Sequence, residues 1–321
     1  MHTYGAEKYL RHAVASLVSI RRHDTERPIA LYCSQSQKER LVETGLRDLF
    51  DVVEVLPELH HSIVGFKHHL DRFKPFERSL FVDADMIWCR NPDPLWQQLS
   101  PFALTATGLE RSDVFFGGPK GLGFLGHWLL DRRRRTMKHF GLTWLPRIQA
   151  GMIYAQDNER TADFCRSSRS FLERRAETHF VSRLNEGRSE ESCEWSMAMA
   201  ASELDMTVIP WFQGRNSPQL DYVEGFVEHD PEFRNVRVLY HNDPFVRNLR
   251  GIPSSSLRRT LLALATRLPG KGDYMWVTPY VLHFGWMHHK QPFYDHADRV
   301  WEHMLVAGPQ PAESRSQTMR A

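Results

Sequence analysis

No run of about 18 uninterrupted apolar residues occurs in the chain, which excludes a transmembrane helix. The opening Met1-His2-Thr3-Tyr4-Gly5 lacks the cationic start and apolar core of a secretory signal, so a cytoplasmic protein is expected. Cysteine is scarce. Cys33, Cys89, Cys165 and Cys193 are scattered with no CxxC, which excludes a disulfide framework and predicts reduced thiols. An excess of one charge is also lacking: 41 Lys and Arg against 39 Asp and Glu leave +2, too little for strong global attraction to nucleic acid. Histidine is abundant at 17. Its pairs at His60-His61, His68-His69 and His288-His289 lack zinc-site spacing with cysteine and are expected on the surface. There is no internal repeat and no composition break that marks a domain boundary.

With 321 residues, 41% hydrophobic and 25% charged, the chain can bury a sizeable core. Residues 1–307 are expected to form a single domain, and the Pro-, Ser- and Gln-rich stretch 308–321 a disordered tail. Helices are predicted over Lys8 to Ile20, Lys38 to Leu46 and His68 to Phe73, and a short one after the turn Pro92-Asp93-Pro94. Strands are predicted at Pro28 to Cys33, Val52 to Val55 and Ser79 to Val82. In the second half, helices are read over Trp128 to Phe140, Thr161 to Arg175 and Glu191 to Leu204. Strands are read at Ala150 to Ala155, Thr207 to Ile209, Arg237 to Tyr240 and Tyr280 to Leu282, with loops at Gly214 to Asp221 and Gly251 to Ser256. Strands alternating with helices imply an α/β fold with a mostly parallel sheet flanked by helices. Ligands of such sheets sit beyond the carboxyl ends of the strands.

Phe81-Val82-Asp83-Ala84-Asp85 falls at such an end. Residues i and i+2 share a face of a strand, so Asp83 and Asp85 would point the same way where the chain leaves the sheet. Two carboxylates are half of a site for a hard cation such as Mn²⁺ or Mg²⁺, whose shell is usually completed by water and substrate phosphate. A chain of this length holds roughly one such pair by chance, so the surroundings decide.

Those surroundings resemble the metal-dependent nucleotide-sugar glycosyltransferases of the GT-A fold, closest to the glycogenin-like and lipopolysaccharide galactosyltransferase-like group. The resemblance rests on Gly65-Phe66-Lys67, on the strand running into Asp83-Ala84-Asp85, and on Arg90-Asn91-Pro92-Asp93-Pro94-Leu95-Trp96. It extends to Tyr4 through Leu10, to Gln149-Ala150-Gly151, to Glu190 through Ser196, and to His283-Phe284-Gly285 with Lys290-Gln291-Pro292-Phe293. Almost nothing precedes Tyr4, so the family's first strand is expected to be missing or a stub, a start codon placed too far downstream being the simpler account.

The resemblance implies a Rossmann-like GT-A fold and transfer of a sugar, with retention, from a nucleoside-diphosphate sugar to a glycan, lipid-linked or other hydroxyl acceptor. It implies Mn²⁺ or Mg²⁺ held by Asp83, Asp85 and His283. Leu239-Tyr240-His241 is a competing strand-then-histidine. Tyr4, Lys67, Ala84, Gly285 and Lys290 would line the donor, with the lysines on the diphosphate. Gln149, standing where the family has asparagine, would face the donor sugar; Gly151 equally suits close packing alone. Glu191 and Glu194, three apart, would share a helix face near the reacting sugar, or simply favour the helix dipole. A non-catalytic sugar-nucleotide-binding relative is the alternative.

Two features remain outside this reading. Arg132 to Arg135 is either a solvated helix face or a positive patch, and Leu257 to Leu268 mixes apolar and basic residues as interfacial helices do. Both suit an anionic or lipid-linked acceptor and peripheral contact with an anionic membrane at its inner face. No nucleic-acid module is present.

Overall fold

Leu10, Ala13, Val14, Leu17 and Ile20 recur at helical spacing and bury one side of α1 (Glu7–Arg21). That stripe packs on Ala297, Val300 and Trp301 of the last helix, α9 (Gln291–Ala307), and joins the first and last helices in one core. The computed structural model describes residues 1–112, 116–119, 123–211, 213–240, 275–285 and 289–307, together with isolated positions between 252 and 264. His241, most of Leu257 to Leu268 and the tail 308–321 lie outside the described residues.

The amino-terminal part is a parallel sheet of β1 (His2–Thr3), β2 (Ala30–Cys33) and β3 (Val52–Val55), crossed by α1 and α2 (Gln35–Glu43). A capping box between Ser34 and Gln37 starts α2, three residues before the sequence places it. β1 pairs only with Tyr32 and Cys33 of β2. The Met1 ammonium donates to the Ala30 carbonyl, and burial pushes its pKa down to about 5. A cavity of about 700 Å³ adjoins it, lined by Met1, Ala30, Tyr32, Phe73, Leu80 and Val82.

Next along the chain come α3 (Ile63–Lys67), β4 (Ser79–Val82), β5 (Met86–Trp88), α4 (Asp93–Leu99) and β6 (Leu104–Leu109). Then follow α5 (Gly123–Leu129), α6 (Arg132–His139), β7 (Arg147–Ala155), α7 (Asn158–Glu173), α8 (Glu194–Glu203) and β8 (Ile209–Pro210). A second sheet has the order β4-β7-β6-β8. β7 runs antiparallel to both β4 and β6, and β6 is parallel to β8, so three of its strands run one way around one reversed strand. A third sheet, β5-β13-β9, uses β9 (Gln219–Asp221) and β13 (Val281–His283), and a fourth joins β10 (Val227–His229), β11 (Val236–Tyr240) and β12 (Met275–Val277). Among the described residues, apolar side chains form three large cores, around α1, β2 and α9, around β6, β7 and α8, and around β9 and β13, with a small fourth at Val223 and Phe226. No described helix is long and apolar enough to cross a membrane.

Five sequence expectations are corrected. The histidine pairs are not a surface feature: His60, His68 and His289 are buried. The helix expected over His68 to Phe73 is instead α3 followed by a 3₁₀ turn at Leu70–Arg72, because the Ser62 hydroxyl caps the Gly65 amide and starts the helix early. Trp128 to Phe140 is two helices, broken where Asp131 takes a left-handed conformation at φ 44°. The loop expected from Gly214 to Asp221 contains β9. α8 begins at Glu194, not Glu191, because Glu191 spends its carboxylate on the amides of Arg183 and Ser192.

One glycine is dictated by close approach. A Cβ on Gly108 would stand 2.1 Å from the Arg147 carbonyl oxygen and 2.6 Å from Val208, at an irregularity in the β6–β7 ladder. Backbone cannot yield as a side-chain tip can. Gly108→Ala is expected to cost about 1–3 kcal/mol and lower the thermal midpoint by several degrees; an unchanged midpoint in scanning fluorimetry contradicts this contact.

Candidate metal and diphosphate site

Asp83 and Asp85 lie in a bend between two sheets, not on a strand. The ladder of β4 and β7 continues one step past Val82, with the Asp83 amide donating to the Gly151 carbonyl at 3.0 Å. Two residues on, the Asp85 carbonyl accepts from the Phe284 amide at 3.0 Å, and β5 then pairs antiparallel with β13. That register sets His283 opposite Met86, beside the aspartates. One potential ligand atom from each of Asp83, Asp85 and His283 lies within 4.8 Å of the others. His283 Nε2 is 3.7 Å from Asp85 Oδ1 and 4.0 Å from Asp83 Oδ2.

β13 also pairs in parallel with β9, which places Asp221 opposite His283. Asp221 Oδ1 lies 2.9 Å from His283 Nδ1. A carboxylate only accepts, so this contact favours the tautomer protonated at Nδ1 and leaves the Nε2 lone pair toward the aspartates. Gln149 Nε2 stands 2.9 Å from the same Nδ1, while Gln149 Oε1 accepts from the Gly151 amide at 2.6 Å. Burial disfavours the imidazolium of His283, but the hydrogen bond it donates to Asp221 and the charges of Asp85, Asp221 and Asp83 outweigh it and raise its pKa.

Two lysines reach the same carboxylates. Lys67, at the end of α3, donates to the Ala150 carbonyl at 2.9 Å and lies 2.7 Å from Asp83 Oδ1. Burial alone would lower its pKa; Asp83, with Cys193 and Glu194, more than offsets this and raises it. Lys290 lies 2.5 Å from Asp85 Oδ2. Burial opposes its charge as well, and Asp85 overcomes it. For Asp85, burial works against ionisation, but Lys290 and then His283 hold the carboxyl below its usual range.

Two glycines make room. A Cβ on Gly151 would meet Met86 at 2.6 Å and Gln149 Oε1 at 2.7 Å, and one on Gly285 would meet the His283 ring at 2.5 Å. Close packing at Gly151 therefore serves the site. Ala84, between the aspartates, packs on the core around α1.

Of the other expected site residues, Glu194 feels the charges of Lys67 and Asp221, whereas Glu191 is bonded elsewhere. Glu194 opens α8, whose remaining turns are buried all round between α7 and β7. Burial raises its pKa against the charges of Arg147, Lys67 and Arg183. The Glu191 carboxylate takes Arg175 Nη1 and Ser182 Oγ, both at 2.6 Å, besides the two amides, and ties down the approach to α8. Tyr4 donates to Glu190 at 2.8 Å and stacks on His61, with ring centres 5.7 Å apart. Asp221 is absent from the sequence reading. Its Gln219-Leu220-Asp221 offers the same apolar-then-acid signal as Val82-Asp83, but only three strand residues after a turn.

This geometry defines a candidate cation site of two carboxylates and one imidazole, flanked by ammonium groups, in a bend between two sheets. No protein-family model and no curated protein matches the chain. Among solved structures, it is similar to the galactosyltransferase LgtC in complex with donor and acceptor sugar analogues, at 12% identity over 97% of each chain and a TM-score of 0.47. It is also similar to the glycosyltransferase GlyE of Streptococcus pneumoniae TIGR4, at 11% identity over 98% of this chain and 66% of that one, TM-score 0.47. Mouse xyloside xylosyltransferase 1 matches at 13% identity over 68% of this chain and 86% of its own, TM-score 0.44.

Oxygen and nitrogen donors in this set suit Mn²⁺ or Mg²⁺, and the imidazole must be neutral to bind. Because the His283 pKa is raised, the imidazolium persists to higher pH than for an ordinary histidine. As pH is lowered, Mn²⁺ affinity is expected to start falling while the pH is still above about 6.5, and to drop about tenfold per pH unit once below the His283 value. Isothermal titration across pH tests this; affinity constant from about pH 8 to about pH 6 contradicts His283 as a ligand.

Proposed function

We propose that the chain is a metal-dependent glycosyltransferase. It moves a sugar, with retention, from a nucleoside-diphosphate sugar to a hydroxyl of a glycan or lipid-linked acceptor. The observation that carries this reading is the convergence of Asp83, Asp85 and His283, with Lys67 and Lys290 on the two carboxylates. Two carboxylates balanced by two ammonium groups leave little net charge, so a divalent cation and the diphosphate it neutralises can enter together.

In the reaction the bond from the anomeric carbon to the diphosphate breaks, the acceptor oxygen bonds to that carbon, and the acceptor hydroxyl's proton passes to the released nucleoside diphosphate. Asp83, Asp85 and His283 would hold Mn²⁺ or Mg²⁺, which would supply Lewis-acid stabilisation of the departing diphosphate. Lys67 and Lys290 add charge stabilisation in a half-buried pocket where such interactions are strengthened. Asp221 fixes the ring orientation of His283, and Gly285 leaves it space. Glu194 and Gln149 are assigned to sugar hydroxyls, Tyr4 and Ala84 to the nucleoside side of the donor. We assign the activity to the cytoplasm, supported by four buried free cysteines.

One observation favours a second reading, a sugar-nucleotide-binding protein without transfer: the Gln149 amide oxygen is engaged by the Gly151 amide. A panel of nucleotide sugars with and without Mn²⁺, scored by thermal shift and release of nucleoside diphosphate, separates the two. Turnover supports the enzyme, and Mn²⁺-dependent binding without turnover supports the binder. Asp85→Asn keeps the side-chain shape and is expected to lower turnover about a thousandfold while the thermal midpoint stays within a few degrees; full activity in that variant removes the assignment.

A further inference from the structure

The α5–α6 hairpin exposes apolar and cationic side chains together. Leu125 is 50% exposed, Trp128 60%, Leu129 73% and Leu130 46%, four large apolar residues within six positions. Arg132, Arg134 and Arg135 follow directly and are exposed, while Thr136 turns inward. The two halves meet. Arg132 Nη1 lies 3.5 Å from His127 Nε2, and Trp128, Arg133 and Arg134 line one cavity of about 450 Å³ with Arg111 and Trp144. Glu110 and Asp131 are its acidic lining residues, Asp131 standing 4.0 Å from Arg134. Arginines therefore dominate the rim, and an exposed tryptophan adjoins it.

We propose that this hairpin docks the protein on an anionic lipid surface, with a lipid phosphate in the arginine-rimmed cavity and Leu125, Trp128, Leu129 and Leu130 in the acyl boundary. The charge is complementary to acidic headgroups and the apolar ridge is not, by itself, a feature a nucleic acid would use. Tryptophan suits the interface, having an apolar body and a polar N–H. Exposed arginines with no apolar neighbours would be an ordinary solvated face; here the chain leaves about four side chains in water that burial in lipid would favour. The surface sits where the chain enters β7. Cavity residue Leu145 precedes Gln149 by four positions, about 13 Å of extended chain. The other basic and apolar stretch, Leu257 to Leu268, lies largely outside the described residues.

The test is sedimentation of the full chain with phosphatidylcholine vesicles, with and without phosphatidylglycerol, at low and high salt. Binding is expected only with phosphatidylglycerol and is weakened by salt. The double variant Arg134→Glu/Arg135→Glu is expected to lose at least about tenfold in binding. Trp128→Ser is expected to lose several-fold while keeping salt sensitivity. Turnover of a soluble donor should be unchanged in both variants, which separates this proposal from the catalytic one. Displacement by inorganic phosphate at equal concentration assigns the cavity to free phosphate and overturns the lipid assignment. So do equal binding to neutral vesicles, vesicle binding unaffected by either variant, retention on duplex DNA without vesicle binding, or a concentration-dependent dimer abolished by Leu129→Ser.

Discussion

The register of β13 between β5 and β9 governs this molecule's site. In one row across the third sheet it aligns Met86, His283 and Asp221. Side chains alternate along a strand, so a slip of one residue would send His283 to the other side and bring Leu282 or Phe284 to the aspartates. The apolar neighbours prevent this. Leu282 and Phe284 belong to the core with Ile87, Leu220 and Phe293, and exposing them would forfeit several kcal/mol, by about 25 cal/mol per Å² of apolar surface. Hydrophobic packing on one side of β13 thus positions the imidazole on the other.

Electrostatics complete what the register begins. Asp83, Asp85 and Asp221 would repel one another if left alone in a half-buried pocket. Lys67 from α3, Lys290 before α9 and the polarised His283 ring offset them. Each cation comes from a different part of the chain, so the pocket forms only when the amino-terminal elements, the central sheet and the carboxyl-terminal segment are assembled together. Local breathing of any one would leave buried charge without a partner, which penalises partial unfolding near the site.

The basic hairpin stands apart from this logic. It contributes few side chains to the cores, and Asp131, in a left-handed conformation, bends it away from a single helix. Its apolar residues Leu125, Trp128, Leu129 and Leu130 are exposed, whereas α8, sandwiched between α7 and β7, buries nearly every side chain. The same kind of residue is core in one helix and surface in the other.

Much of the fold was legible because local periodicity and tertiary packing agree. The α1 stripe, the strands at 30–33, 52–55 and 79–82, and the turn into α4 are each specified by residues close in sequence. So was the nucleus of the site: two carboxylates after an apolar run, a lysine before them and a histidine then glycine near the end. Elements set by side-chain capping were misplaced, as at Ser62 and Glu191, since a hydrogen bond that starts a helix leaves no hydrophobic signature. The sequence by itself determined which chemistry was possible, because carboxylates, imidazole and ammonium groups are properties of residues. Only the tertiary structure decided which of them meet: it brought Asp221 behind His283 and tied Glu191 to Arg175. Those outcomes depend on strand register and helix placement between residues tens to hundreds of positions apart, where no local pattern carries the information.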